Sequence, residues 1–151
     1  MRHQSGCGRR RGATTIEGAI VLGVLLTLVT GMLDLAVAVF RQHQLSYAAR
    51  GVCRTATVRG SEAGVLGVWG PTTVGPVAAS GTGPVPAAAR THLCALNPAA
   101  VTVRAEWPDG NNEPGSRVAV SLETTYQPTL TWLFGASPMK LRAASVMPIS
   151  H

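Results

Sequence analysis

The sequence predicts an α+β protein: a long N-terminal helix that crosses a membrane and continues beyond it, then a short helix and a small antiparallel sheet of about three strands. Three observations lead to this fold class. No charged residue lies between Gly18 and Leu33, helical periodicity continues after the apolar run, and alternating segments near the C-terminus are separated by turn residues. The 151 residues suffice for a long helix that carries one small domain.

The apolar segment is long enough to span a bilayer. It continues to Phe40 and is interrupted only by Asp34, whereas about 20 apolar residues cross roughly 30 Å of hydrocarbon. We expect a single membrane-spanning helix. For Asp34 two alternatives stay open: a place at the outer interface or a pair with Arg41 two turns along, which we favour, and a partner on a neighbouring helix.

Helical character is expected to continue past the membrane in one piece, from about Thr14 to Val58, a length of roughly 65 Å. The apolar positions after Phe40 follow the spacing of one helix face: Leu45, Ala48, Ala49, Val52, Cys53 and Ala56. Gly51 weakens this helix by about 1 kcal/mol, a loss that tertiary contacts can offset.

The remainder divides into a loop and a small outer domain. Six glycines and four prolines between Gly64 and Pro86 remove any period, so this stretch is predicted to be a long loop. The segment "AAARTHLCALN", which Pro98 follows, is predicted to be a short amphipathic helix. The predicted domain boundaries are therefore a leader at 1–12, the long helix at 13–60, the Gly/Pro-rich loop at 61–86 and the outer domain at 87–151.

Alternating residues predict the strands of the outer domain. The segments "AVTVRAEW" and "SRVAVSLETTY" alternate and are joined by the turn-rich "PDGNNEPG", and "KLRAASVMPI" is a plausible third strand. Trp107, Tyr126 and Trp132 are expected in the core or at an interface rather than on a ligand-binding surface.

The net charge of +6 does not indicate nucleic-acid binding. Of thirteen Lys and Arg, four lie in the leader (Arg2, Arg9, Arg10 and Arg11), which leaves nine against seven Asp and Glu. No basic stripe with interleaved aromatic residues remains. Since His3, His43, His92 and His151 are isolated and no nucleophile or phosphate-binding motif occurs, we expect neither an enzyme, nor a metal site, nor a cofactor.

Two cysteines of the outer part leave an alternative open. The basic triplet Arg9–Arg11 favours a cytoplasmic N-terminus, which places Cys53 and Cys94 outside the cytoplasm, where a disulfide persists. Such a bridge would stabilise the domain by roughly 4 kcal/mol. Two unpaired thiols are equally compatible with the spacing, and Cys7 lies in the leader.

The spacing from Gly12 to Glu17, with basic residues before and apolar residues after, resembles the processing site of type IV prepilins. The segment "RRRGATTIEGAIVL" with "GMLDLAVAVF" is similar to the TadE-like pseudopilins of the tight-adherence (Flp) pilus system. The segments "YAARGVCRTATVRG", "VAVSLETTYQPTLTWLFG" and "LRAASVMPI" also resemble later parts of this family. The resemblance implies a pilin-like fold.

The resemblance also implies a processing reaction and a set of partners. A prepilin peptidase of the bacterial inner membrane would cut after Gly12, leave Ala13 as the new N-terminus, and place its ammonium one helical turn from Glu17. Other pilins and pseudopilins, platform proteins and the assembly ATPase would be further partners. The major Flp pilin has a Glu-Tyr pair after the cut, whereas here Gly18 follows Glu17. The resemblance therefore implies a minor pseudopilin.

Other interpretations of the N-terminus place the protein in other classes. An uncleaved signal anchor would make it a single-pass, membrane-anchored extracytoplasmic binding domain. A secretory signal peptide cut after Ala36-Val37-Ala38 would release a domain that starts at Val39. The continuous helical pattern across that position argues against the signal peptide.

Overall fold

The computed structural model describes residues 9–129, 135 and 137–150, with side chains described from residue 14 onward. It has two helices and four strands, which in chain order are α1 (Arg9–Thr57), β1 (Val74–Ala78), α2 (Pro84–His92), β2 (Val101–Glu106), β3 (Arg117–Tyr126) and β4 (Met139–Pro148). Short 3₁₀ turns at Gly64–Leu66 and Pro98–Ala100 precede β1 and β2. The predicted α+β class is confirmed.

Helix α1 has 49 residues, a length of about 73 Å at 1.5 Å per residue. We call residues 14–40 its lower half and residues 41–57 its upper half. The large apolar side chains of the lower half, from Ile16 to Phe40, are 42% to 71% exposed. An 18-residue window of this helix has a mean hydropathy of 2.3 and is not buried in the molecule, so it meets the length and composition required of a single membrane span.

The upper half of α1 is buried along one face. All six predicted positions lie in the hydrophobic core and are at most 2% exposed: Leu45, Ala48, Ala49, Val52, Cys53 and Ala56. The exposed positions lie on the opposite face of the helix. The helical period of the apolar residues in the sequence therefore predicts the face that packs on the sheet.

The sheet is an antiparallel meander with strand order β1-β2-β3-β4. Its inner face carries the residues predicted from alternation, all buried: Val101, Val103, Ala105, Trp107, Val118, Val120 and Leu122. Strands β3 and β4 make the largest contact with α1, and Leu141 and Ala143 of β4 join the same core. The upper half of α1 thus covers the apolar face of the sheet and forms its core with it.

Strand β1 corrects the prediction of a structureless loop between Gly64 and Pro86. This edge strand pairs with β2, with a register shift between Val74 and Val77. An edge position tolerates Pro76 because one side of the strand needs no ladder hydrogen bonds. Gly75 has φ +95°, and a Cβ there would lie 2.4 Å from the Val103 carbonyl oxygen. Gly75 and Pro76 interrupt the strand pattern in the sequence, yet both are compatible with a strand at the edge of the sheet.

Helix α2 also departs from its predicted position. It begins at Pro84 and ends at His92, whereas the prediction placed it between Ala87 and Asn97. Prolines are compatible with the first helical turn, where backbone N–H groups lack intrahelical partners anyway. The Leu93 N–H donates to the Ala89 and Arg90 carbonyls and closes the helix.

One polar contact closes a loop of the outer domain and another anchors its C-terminal segment. In the loop between β2 and β3, the Asp109 carboxylate accepts from the Arg117 backbone N–H at 2.8 Å and from its guanidinium at 2.6 Å. These bonds lower the pKa of Asp109 to about 2. After β4, the Ser150 backbone N–H donates to the Thr57 carbonyl at 2.9 Å, so the chain beyond the last strand is tied to the upper end of α1. Trp132 lies outside the described residues.

Candidate functional site

The predicted processing site lies on the first turns of α1. The backbone of Gly12 and Ala13 is helical, and Glu17 follows one turn later with an exposed side chain. Glu17 shares a shallow surface groove with apolar residues of the next two turns, among them Val21, Leu22 and Leu25. The structure therefore presents one carboxylate on an otherwise apolar surface, which is costly in hydrocarbon without a cationic partner.

The lower half of α1 offers a wide apolar surface around the whole helix. Monomeric soluble proteins rarely expose contiguous apolar patches larger than a few hundred Å². Its polar side chains include Thr27 and Thr30, whose hydroxyls donate to the carbonyl oxygens four residues earlier, at 2.9 Å and 2.8 Å. Both hydroxyls are thereby satisfied within the helix, as a lipid environment requires.

Asp34 meets the outer domain where the lower half approaches the sheet. The Tyr126 hydroxyl lies 3.2 Å from the Asp34 carbonyl oxygen and 3.3 Å from its Oδ1. The Arg41 guanidinium lies 4.9 Å from the centroid of the Tyr126 ring. Burial, followed by the negative charge of Asp34, raises the pKa of the Tyr126 hydroxyl. The structure thus places Tyr126 beside both residues that the sequence suggested as an intrahelical pair.

The contribution of Tyr126 was missed at the level of sequence. The alternating pattern of β3 predicted a buried ring, but not a hydroxyl that reaches a residue 92 positions earlier. A tyrosine rather than a phenylalanine at the last position of β3 was the available signal, since a buried hydroxyl needs a polar partner.

Both cysteines of the outer part are free in the structure. Cys53 is buried beneath the sheet, with its Sγ 3.5 Å from the carbonyl oxygens of Val118 and Ser145. Burial raises the pKa of the Cys53 thiol. Cys94 is exposed after the end of α2. Of the two alternatives left open by the sequence, the structure therefore has the unpaired thiols, while Cys7 lies outside the described residues.

The described residues do not form a metal centre. Within the parts of the chain that the structure covers, no group of three or more His, Cys, Asp or Glu side chains lies close enough to hold a metal ion. Of the histidines, His92 packs edge-on against Tyr47, with 6.1 Å between the ring centroids. His3 and His151 lie outside the described residues.

A long apolar N-terminal helix continues into a small α+β domain. The model of one protein family, described as TadE-like protein, matches residues 12–54. The match begins at Gly12 and ends within the upper half of α1, and it confirms the resemblance over that segment. No curated protein and no solved structure gives a significant match.

The family match concerns the helix rather than the outer domain. Over residues 12–54 the chain is similar to TadE-like proteins, a family of structural components of the tight-adherence pilus and not a family of enzymes. One long apolar N-terminal helix fits the single-pass membrane anchor of such a protein.

Proposed function

We propose that this chain is a minor pseudopilin of a tight-adherence pilus or a related secretion system, cut between Gly12 and Ala13 and assembled through the lower half of α1. One observation carries the proposal: Glu17 is an exposed carboxylate on an apolar helix surface, one turn after the glycine at which the TadE-like match begins. A cut at that glycine creates an ammonium on Ala13, one helical turn from Glu17.

Glu17 acts in this proposal as the partner of a newly formed ammonium. A carboxylate within a bilayer costs about 2.5–3.5 kcal/mol on insertion scales, and less near the interface. Docking beside the Ala13 amine of a neighbouring subunit offsets that cost and fixes the axial position of one helix against the next. The amine of the same chain is the local competitor for this pairing.

The contact between Asp34 and Tyr126 supports a definite depth for the span. Strand β3 ends at Tyr126 and its sheet has open edges, which hydrocarbon does not accommodate. The outer domain is therefore expected to begin at the level of Asp34, leaving residues 16–33 to cross the bilayer over about 27 Å. Asp34 then lies at the outer interface, the position favoured from the sequence.

The location and the cellular partners follow from this role. The leader remains in the cytoplasm and the outer domain is extracytoplasmic, with the span in the bacterial inner membrane. The partners are the prepilin peptidase, other pilins and pseudopilins, the platform proteins and the assembly ATPase.

Intact-mass spectrometry of the membrane-extracted protein tests the processing step. Co-expression with a prepilin peptidase should give a protein that begins at Ala13, whereas the protein expressed alone should keep its leader. An unshortened chain in both preparations would favour the uncleaved anchor of an extracytoplasmic binding domain. A start at Val39 would indicate signal peptidase instead.

Assembly is tested separately with Glu17→Gln in a strain that makes the pilus. The variant should still be cut, but its amount in the sheared pilus or in the assembly complex should fall about tenfold or more, which corresponds to 1.4 kcal/mol or more of lost pairing. Glu62→Gln, which changes an exposed carboxylate of the outer domain, is the matched control. Equal incorporation of both variants would remove the role proposed for Glu17.

A further inference from the structure

A groove of 520 Å³ opens on the upper half of α1, on the side of the helix that carries no core residue. Its walls come from α1, the last residue of α2 and the 3₁₀ turn before β1. The lining residues are Tyr47, Arg50, Gly51, Arg54, Thr55, Val58, Arg59, Leu66 and His92. This surface lies apart from the lower half of α1, which the proposed function uses.

Three arginines give the groove one sign of charge. Arg50 and Arg54 stand one helical turn apart, a rise of about 6 Å along the axis. Arg59 holds its guanidinium 4.9 Å from the centroid of the Trp69 ring, a cation–π contact that restricts its orientation. The groove is lined by no acidic residue, and the ion pairs of the described part of the chain involve none of these arginines.

Apolar side chains stand beside the charges. Leu66 and Val58 line the groove and are 57% and 36% exposed, while Val65 and Val68 on the adjoining turn are 105% and 53% exposed. A surface that combines arginines with exposed apolar side chains matches a partner that offers carboxylates and apolar side chains together. A partner with only one of these two kinds of side chain would leave part of the groove solvated.

The distance from the bilayer argues against lipid headgroups as the occupant. Tyr47, the lining residue nearest to the membrane, is fourteen residues past Leu33, the proposed end of the span, a rise of about 21 Å along the helix. The headgroup layer takes up about 5–7 Å of this rise. The remaining distance of about 14 Å exceeds the Debye length of about 8 Å at physiological ionic strength, so the charge of a membrane surface is largely screened at this height.

A second copy of the chain is also a poor match. Three carboxylates of its outer domain are already in ion pairs: Glu106 with Arg104, Asp109 with Arg117 and Glu123 with Lys140. Glu62 and Glu113 remain exposed, but they stand on separate loops rather than one turn apart on a helix. The occupant favoured by charge complementarity is therefore a different protein.

We propose that the groove formed by Arg50, Arg54 and Arg59 binds an amphipathic helix of another protein that carries two carboxylates one turn apart beside an apolar residue. The two carboxylates pair with Arg50 and Arg54, which are likewise one helical turn apart, and the apolar residue packs against Leu66 and Val58. This inference concerns the outer domain and does not depend on cleavage after Gly12.

The test uses the full chain in nanodiscs of phosphatidylcholine, with fluorescence anisotropy of a labelled 16-residue helical peptide as the readout. The probe carries two Glu at positions i and i+4 with Leu at i+3, and the comparison peptide has Gln in place of Glu. The Glu peptide should bind at least tenfold more tightly than the Gln peptide. The double variant Arg50→Gln/Arg54→Gln should lose at least tenfold in affinity for the Glu peptide.

The matched control removes two cations elsewhere: Lys140→Gln/Arg142→Gln on the exposed face of β4 should leave the affinity unchanged. Unchanged near-ultraviolet circular dichroism verifies that each variant is folded. Equal binding of the two peptides, no binding of either, or an equal loss in the control variant would overturn the proposal. Self-association that Arg50→Gln/Arg54→Gln abolishes, or binding only to vesicles with phosphatidylserine, would overturn it in favour of a second copy or of lipid.

Discussion

The two halves of α1 belong to one continuous helix but are stabilised by different surroundings. Large apolar side chains of the lower half are 42% to 71% exposed, whereas the six core positions of the upper half are at most 2% exposed. The lower half is apolar around its whole circumference, as expected for a helix surrounded by lipid or other helices, and the upper half is apolar along one face. The distribution of apolar residues around the axis, rather than their number, separates the two environments.

The packing of the upper half of α1 also explains why the outer domain can be small. The sheet has four strands, and its inner face packs on the upper half of α1. The same segment that leaves the membrane thus serves as the main helix of the outer core. Substitutions in the upper half should therefore unfold the outer domain, while equivalent substitutions in the lower half should leave it folded.

The largest expected difference between the halves is at leucine positions. Leu45→Ala removes a fully buried side chain and should lower the free energy of unfolding of the outer domain by about 2–5 kcal/mol. Leu25→Ala, at a position that is 54% exposed, should change it by less than about 0.5 kcal/mol. Denaturant titration in detergent, followed by the fluorescence of buried Trp69 and Trp107, measures both. Similar losses in the two variants would contradict the division of the helix.

A glycine pair gives a smaller contrast. A Cβ on Gly51 would lie 2.7 Å from ring atoms of His92, whereas a Cβ on Gly23 would have no neighbour within 4 Å. Gly51→Ala gains about 1 kcal/mol of helix propensity but strains the packing of α2 by about 1–3 kcal/mol. We expect a net loss of up to about 2 kcal/mol for Gly51→Ala and no loss in the outer domain for Gly23→Ala. Greater stability of Gly51→Ala would show that His92 moves aside freely.

The smallest expected effect lies at Asp34, where the lower half of α1 approaches the sheet. Tyr126→Phe removes the hydrogen bond to Asp34 and should cost about 0.5–1.5 kcal/mol at pH 7. The pKa of Tyr126 is raised above its usual value of 10.0 in the folded state, so its contribution is fully present below pH 10 and is lost as the pH rises through the folded-state pKa. Denaturant titrations should show this difference between wild type and Tyr126→Phe at pH 7, and the two stabilities should converge once the pH exceeds the folded-state pKa of Tyr126. Tyr47→Phe, at a ring that is 62% exposed, is the control and should show no such dependence.

Periodicity predicted the elements with regular patterns. The core face of α1 and the alternation of β2 and β3 are as predicted, because each follows a single period over six residues or more. Strand β1 was missed because Gly75 and Pro76 interrupt it, and its place depends on pairing with β2, which no local signal encodes. The start of α2 was misplaced because Pro84 and Pro86 were interpreted as ending the loop rather than as forming the first helical turn.

The candidate site divides in the same way. Gly12, Glu17 and Asp34 were apparent from the sequence because a charge beside or within an apolar run is a local signal. The contact between Asp34 and Tyr126 and the burial of Cys53 against β3 and β4 depend on residues 65 to 92 positions apart. The groove formed by Arg50, Arg54 and Arg59 likewise requires α2 and the turn at Gly64–Leu66 to close around α1.

Attachment of the outer domain to α1 at two separate levels has a mechanical consequence. Tyr126 joins the sheet to α1 at Asp34, and Ser150 joins the chain after β4 to α1 at Thr57, two points separated by about 34 Å of helix. A domain held at one point can tilt against the helix, whereas two attachment points along the helix prevent tilting. The packing of β3 and β4 on the core face of the upper half prevents rotation about the helix axis. Any torque that turns the lower half of α1 in the bilayer must therefore rotate the outer domain through the same angle.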